Sequence, residues 1–164
     1  MNDLPFKFPI LTIPEPENSW NLINIHFGWD ALTKLGRQGR KDAHEVGRLV
    51  IDVAGRSWRI LAMRDLGIDS DGAFDRFWSR VFGMHRVQYE ISEELNLPLD
   101  EIQEQVCAII LADPDAWTDN EIFAGEGGAP PRYPEDVIEE LIANVRSARS
   151  PLELMAVIDF HGKG

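Results

Sequence analysis

Apolar residues recur along this chain with two periods, and the change from one to the other organises the reading. Through the first part they alternate, as on a strand with one face buried. In "FKFPILTI" the alternating positions are Phe6, Phe8 and Ile10. Pro5, Pro9, Pro14 and Pro16 interrupt a continuous ladder, so residues 1–17 are expected to form an edge strand or an extended N-terminal arm. "SWNLINIHF" puts Ile23, Ile25 and Phe27 on one side of a second strand, and "GWDALTKLG" predicts a short helical turn ending at Gly36. The clearest strand signal is "RLVIDV", the turn "AG" and "RSWRILAM", which together read as a hairpin over residues 48–63. Leu49, Ile51 and Val53 share one face of its first strand, and Trp58, Ile60 and Ala62 one face of its second. A further half-buried strand alternates Val87, Tyr89 and Ile91 against Arg86, Gln88 and Glu90.

The helical period enters at Phe74, Phe77, Trp78, Val81 and Phe82, an aromatic stripe for the core with Ser70 or Asp71 as cap and Gly83 as stop. It returns over about 98–112, where Leu99, Ile102, Val106, Ile109 and Ile110 form one face. Pro98 suits the first helical position, and Asp113-Pro114 ends the helix. Pro134 opens a third helix with Val137, Ile138, Leu141, Ile142 and Val145 inward. Ser150-Pro151-Leu152-Glu153 fits a capping box for a last short helix through Ile158. Strands early and helices late predict an α+β fold. A mostly antiparallel sheet from the N-terminal half packs on helices mainly from the C-terminal half. Nothing divides the pattern into two cores, so residues 1–164 are expected to form a single domain, with 113–133 as a long acidic loop.

Composition narrows the class. At 44% hydrophobic and 27% charged over 164 residues, the chain can bury a sizeable core. No apolar run approaches the roughly 18–20 residues of a membrane span. "MNDLPFKFPILTIPEP" lacks a basic stretch ahead of a long apolar one, so no secretion signal is expected. The single cysteine, Cys107, excludes an internal disulfide, and a reducing cytoplasm is the expected location.

Charge adds a polarity that periodicity does not carry. Residues 1–90 hold 12 acidic and 12 basic residues, while residues 91–164 hold 16 acidic and four basic, so the whole net charge of −12 sits in the second part. From Glu93 to Pro131 there are ten acids and neither Lys nor Arg. Lys34–Arg64 leans the other way, with eight basic against three acidic residues, net +5. Acids in the first turns of helices complement the helix dipole, as Asp100, Glu101, Glu135 and Asp136 would, and Arg146 and Arg149 suit a helix end. The dipole does not account for the absence of cations over 93–131, because ordinary exposed faces mix signs.

Candidate chemistry is sparse. His26, His44, His85 and His161 are scattered without metal-ligand spacing, and no cysteine pair exists, so no metal or cofactor is expected. "DSDG" at 69–72 fails the calcium-loop spacing and reads as a helix cap. Cys107 falls on an apolar helical face and reads as a small buried hydrophobe. There is no nucleophile elbow, and "GEGG" at 125–128 lies among acids that repel phosphate. Direct nucleic-acid binding is opposed by the net charge.

"LADPDAWTDNEIFAGEGGAP" is the distinctive stretch. Trp117, Ile122 and Phe123 sit among Asp113, Asp115, Asp119, Glu121 and Glu126. Two roles fit: Trp117 and Phe123 staple a long loop to the core, or they anchor a basic partner that the five acids steer and pair with. The second gives the functional expectation: a non-enzymatic module binding and inhibiting a basic protein, in its sharpest form an immunity protein that neutralises a bacterial toxin. A structural or assembly subunit is the alternative, with self-association between the +5 segment and the acidic part. An enzyme with a carboxylate-lined site is the third. No direct nucleic-acid or membrane partner is expected.

Overall fold

The computed structural model describes residues 5–15, 23–28, 32–35, 45–68, 77, 80–81, 83–118 and 133–161. Among these, six strands form one antiparallel sheet in the order β2-β1-β4-β5-β6-β3. They are β1 (Ile10–Ile13), β2 (Asn24–His26), β3 (Lys34–Leu35), β4 (Leu49–Asp52), β5 (Ser57–Ile68) and β6 (His85–Ile91). Three helices follow, α1 (Leu99–Ala112), α2 (Pro134–Ser147) and α3 (Pro151–His161), with a 3-10 turn at Pro114–Trp117 between the first two. The fold is α+β, with the sheet in the N-terminal half and the helices in the C-terminal half.

The sheet curls into a half-barrel, so the alternation along its central strands serves two cores. Leu11, Ile13, Leu49 and Ile51 point to the helices and pack with Ile102, Val106, Ile110, Leu141, Val145 and Leu154. Ile10, Val50, Trp58, Ile60, Val87 and Tyr89 point into the curl and meet Phe6 and Leu32. The Phe6 and Trp58 rings lie 5.0 Å apart at 56°, and the Arg56 guanidinium carbon stands 5.1 Å from the Trp58 ring centre.

Segment 1–17 departs from its expected edge position. β1 pairs with β2 on one side and β4 on the other, and all four of its residues are buried. Pro9 and Pro14 flank Ile10–Ile13 directly, so no ladder position lacks its N–H. The expected helical turn ends before Gly36: Leu32 and Thr33 are helical, but Lys34–Leu35 pairs with Arg86 and His85 as β3. On β2, Ile23 and Ile25 join the helix-side core, whereas Phe27 lies beyond the strand and is exposed. The expected aromatic stripe does not bury Phe77 or Val81, which are helical and more than half exposed. Phe74, Trp78 and Phe82, with the cap at Ser70 or Asp71, lie outside the described residues.

The 48–63 hairpin forms as expected, with Leu49 opposite Arg59, Val50 opposite Trp58 and Ile51 opposite Ser57. Its turn is built by Asp52. That carboxylate is fully buried and accepts the backbone N–H groups of Lys7, Ala54 and Arg56 at 3.1, 2.9 and 3.0 Å. It also takes Arg56 Nη2 at 2.7 Å, and Gly55 supplies the positive φ of +82°. A bulge between Ile60 and Ala62 turns Ala62 away from the face it was expected to share with Trp58. Val87 and Tyr89 are buried as the alternation requires.

The helices follow their period closely. Pro98 stands at the cap of α1 rather than inside it, and Pro134 is the first residue of α2. At α3 the box is present in shifted form: Ser150 Oγ accepts the Glu153 N–H at 3.2 Å, while Glu153 reaches back to the N–H of Arg149 at 2.7 Å. α3 continues past Ile158 to His161. Among the described residues no helix is long and apolar enough to cross a membrane.

Candidate protein-binding face

The helical layer places the acidic part of the chain. α1 buries Ile102, Gln103, Val106, Cys107, Ile109 and Ile110. Gln103 Nε2 donates to the carbonyls of Val145 and Ala148 at 2.7 and 2.8 Å, closing the end of α2. Arg146 pairs with Glu104 at 3.2 Å beside it. The early turns of α1 therefore meet the last turn of α2, and the two helices run antiparallel. From Gln103 to Ala112 the axis rises about 13 Å. The Pro114–Trp117 turn also packs on α2.

Asp113 and Asp115 lie at the 3-10 turn after α1, and Glu135 and Asp136 lie in the first turn of α2. None accepts a hydrogen bond or forms an ion pair among the described residues, and the same holds for Glu139 one turn on. Asp115, Glu135, Asp136 and Glu139 are exposed, and Asp113 is half-buried. Two large exposed apolar groups lie close to them in the chain. Leu111 is 58% exposed and Tyr133, the cap residue of α2, is 64% exposed.

Trp117 is elsewhere. It is 5% exposed and belongs to the helix-side core with Ile110 and Leu141. Of the two roles open to it, the structure shows the staple: its ring fastens the turn after α1 to the core and is not presented as an anchor. Asp119, Glu121, Phe123 and Glu126, with Ile122, lie outside the described residues. The exposed large apolar residues nearest these acids in the chain are Leu111 and Tyr133. Leu111 had a signal, because it falls seven residues after Glu104 on the solvent row of α1. Tyr133 precedes the first helical residue and so escaped a periodicity argument.

Burial raises the pKa of the Cys107 thiol, against a smaller lowering by Arg146. The group stays protonated and packs as a small apolar side chain. A second cluster of ionisable groups lies inside the curl. Arg48 pairs with Glu45 at 3.4 Å and donates to the Thr12 carbonyl at 3.5 Å. Burial lowers the Arg48 pKa, with Glu45 and Tyr89 acting against it. Burial, then Glu45, raises that of Tyr89, whose hydroxyl donates to the Leu32 carbonyl at 3.0 Å. A cleft of about 370 Å³ reaches Tyr89 but not Glu45 or Arg48. Among the described residues no group of three His, Cys, Asp or Glu is placed to hold a metal ion. Comparison of the chain with protein-family models, curated proteins and solved structures found no match, so its function has to be read from the chemistry of these faces.

Proposed function

We propose that this chain is a non-enzymatic protein-binding module whose acidic helical end binds and inhibits a basic partner. Its sharpest form is a cytoplasmic immunity protein that neutralises a bacterial toxin. The observation that carries the reading is the state of the carboxylates. The carboxylates of Asp113, Asp115, Glu135, Asp136 and Glu139 accept no hydrogen bond and form no ion pair among the described residues. A cluster of like charges without counter-charges repels itself, and a basic surface relieves that repulsion. Leu111 and Tyr133, next to these acids in the chain, are exposed and supply apolar area. Tyrosine in such a place provides contact area at low entropic cost, and the surrounding carboxylates steer the encounter.

The test compares the native protein with a variant carrying Asp113→Asn, Asp115→Asn, Glu135→Gln and Asp136→Asn. Both are immobilised and exposed to a lysate of the source cells at low and high salt. A basic protein retained by the native form at low salt, released by high salt and missed by the variant supports the reading. Equal recovery by both forms removes it.

A further inference from the structure

Helix α2 carries its charges in two halves. Glu135, Asp136 and Glu139 lie in its first two turns, Arg146 lies in its last turn, and Arg149 follows just beyond its end. All five are exposed. Val137, Ile138, Leu141 and Val145 hold the opposite face in the core. The outward face is therefore a row through Asp136, Glu139, Ala143 and Arg146, at the spacings of three and four that keep residues on one side of a helix.

Most of these charges are unmatched within the chain. The carboxylates of Glu135, Asp136 and Glu139 accept no hydrogen bond and form no ion pair among the described residues, and the Arg149 side chain makes neither. Arg146 meets Glu104 at 3.2 Å, yet its side chain remains 55% exposed. A guanidinium has five N–H donors, so one carboxylate does not exhaust it. Glu139 and Arg146 are separated by seven residues, about 10 Å along the axis, and do not pair with each other.

That separation fits a second copy. Two helices packed antiparallel about a two-fold axis set each residue opposite its mirror position in the other helix. An axis between Ile142 and Ala143 lies midway between Glu139 and Arg146, so it sets Glu139 of each copy opposite Arg146 of the other. Seven residues are close to two full turns, so both project to the same side of the helix, as a two-fold pairing requires of residues that meet. The same axis lies midway between Asp136 and Arg149. Ala143, exposed and small, stands at the centre, where the two helices approach most closely. The net charge of −12 opposes association at long range. It is screened beyond about 8 Å at physiological ionic strength, and at contact the local pairs decide.

We propose that the outward face of α2 is a self-complementary docking surface for α2 of a second copy, in an antiparallel two-fold pair with Glu139 of each copy on Arg146 of the other. The dimer is weak, because exposed ion pairs contribute little singly. This surface shares Asp136 with the acids of the proposed function, but it needs no other protein, so its test is independent of that reading.

The test is sedimentation velocity on the purified protein over a concentration series reaching the millimolar range. The native protein is expected to rise from monomer toward dimer. Glu139→Arg and Arg146→Glu each set like charges opposite one another at both ends of the pair and weaken dimerisation roughly tenfold. The two variants mixed together restore it, since every acid at these positions then faces a base. Both positions are exposed, so circular dichroism should show each variant folded. A native protein that stays monomeric throughout overturns the proposal, as does a dimer that Glu139→Arg leaves unchanged or a mixture that associates no better than either variant alone.

Discussion

Four acids of the sheet side and the acids around the Pro114–Trp117 turn differ in what their carboxylates meet. On the sheet side, Glu15 is paired with Arg59, Glu45 with Arg48, Asp52 with Arg56 and Asp65 with His85. Two of these acids, Glu45 and Asp52, are buried, where an unpaired charge costs several kcal/mol. In the helical layer, Arg146 pairs with Glu104 and Glu153 takes the Arg149 N–H, while the acids around the Pro114–Trp117 turn stand unpaired. The first set shapes the fold: Asp52 builds a hairpin turn. The second set contributes little to the fold and leaves its charge for the surroundings. An acid's partner, not its presence, separates architecture from surface function.

The comparison breaks most visibly at Trp117. As a staple, Trp117→Ala costs about 3–5 kcal/mol of stability in a denaturant titration, the usual range for emptying a core aromatic site. A loss under about 1 kcal/mol would return the ring to the surface. Asp52→Ala comes next, at about 3 kcal/mol, because it orphans three backbone N–H groups and Arg56. Tyr89 sharpens the sheet side through pH. Its pKa is raised in the folded state, so its contribution is fully present below the ordinary tyrosine pKa of about 10 and is lost as pH rises above that value. Stability should fall above pH 10 by about 1.4 kcal/mol per unit from this residue alone, and Tyr89→Phe should remove that part of the slope. The smallest stability effect belongs to neutralising Asp113, Asp115, Glu135 and Asp136 together. It should stay within about 0.5 kcal/mol of the native protein. The same variant should slow association with a basic partner and flatten its dependence on salt. A large stability loss in this variant would make the acids structural and erase the contrast between the two regions.

Much of the architecture was legible because it is local. The helical faces of α1 and α2, the stop at Asp113 and the start at Pro134, and the alternation through β4 and β6 all follow from residue period and backbone chemistry. The site was less legible. The acidic run drew attention to the stretch after α1, but the anchoring residue it suggested was Trp117, which the core claims. Apolar side chains in an acidic loop can face either way, and only the packing of α1 against α2 leaves room for that ring beside Ile110 and Leu141.

By itself, the sequence determined the fold class, the helix boundaries to within a residue or a few, and the electrical polarity of the chain, because period, prolines and charge are properties of neighbours along it. The tertiary structure decided that β1 is an inner strand between β2 and β4, that the pairing of β5 with β6 runs past its pairing with β4, and that Trp117 is buried in the helix-side core. Each of these depends on what lies across a ladder or a helix interface from residues distant in sequence, and no local pattern encodes that.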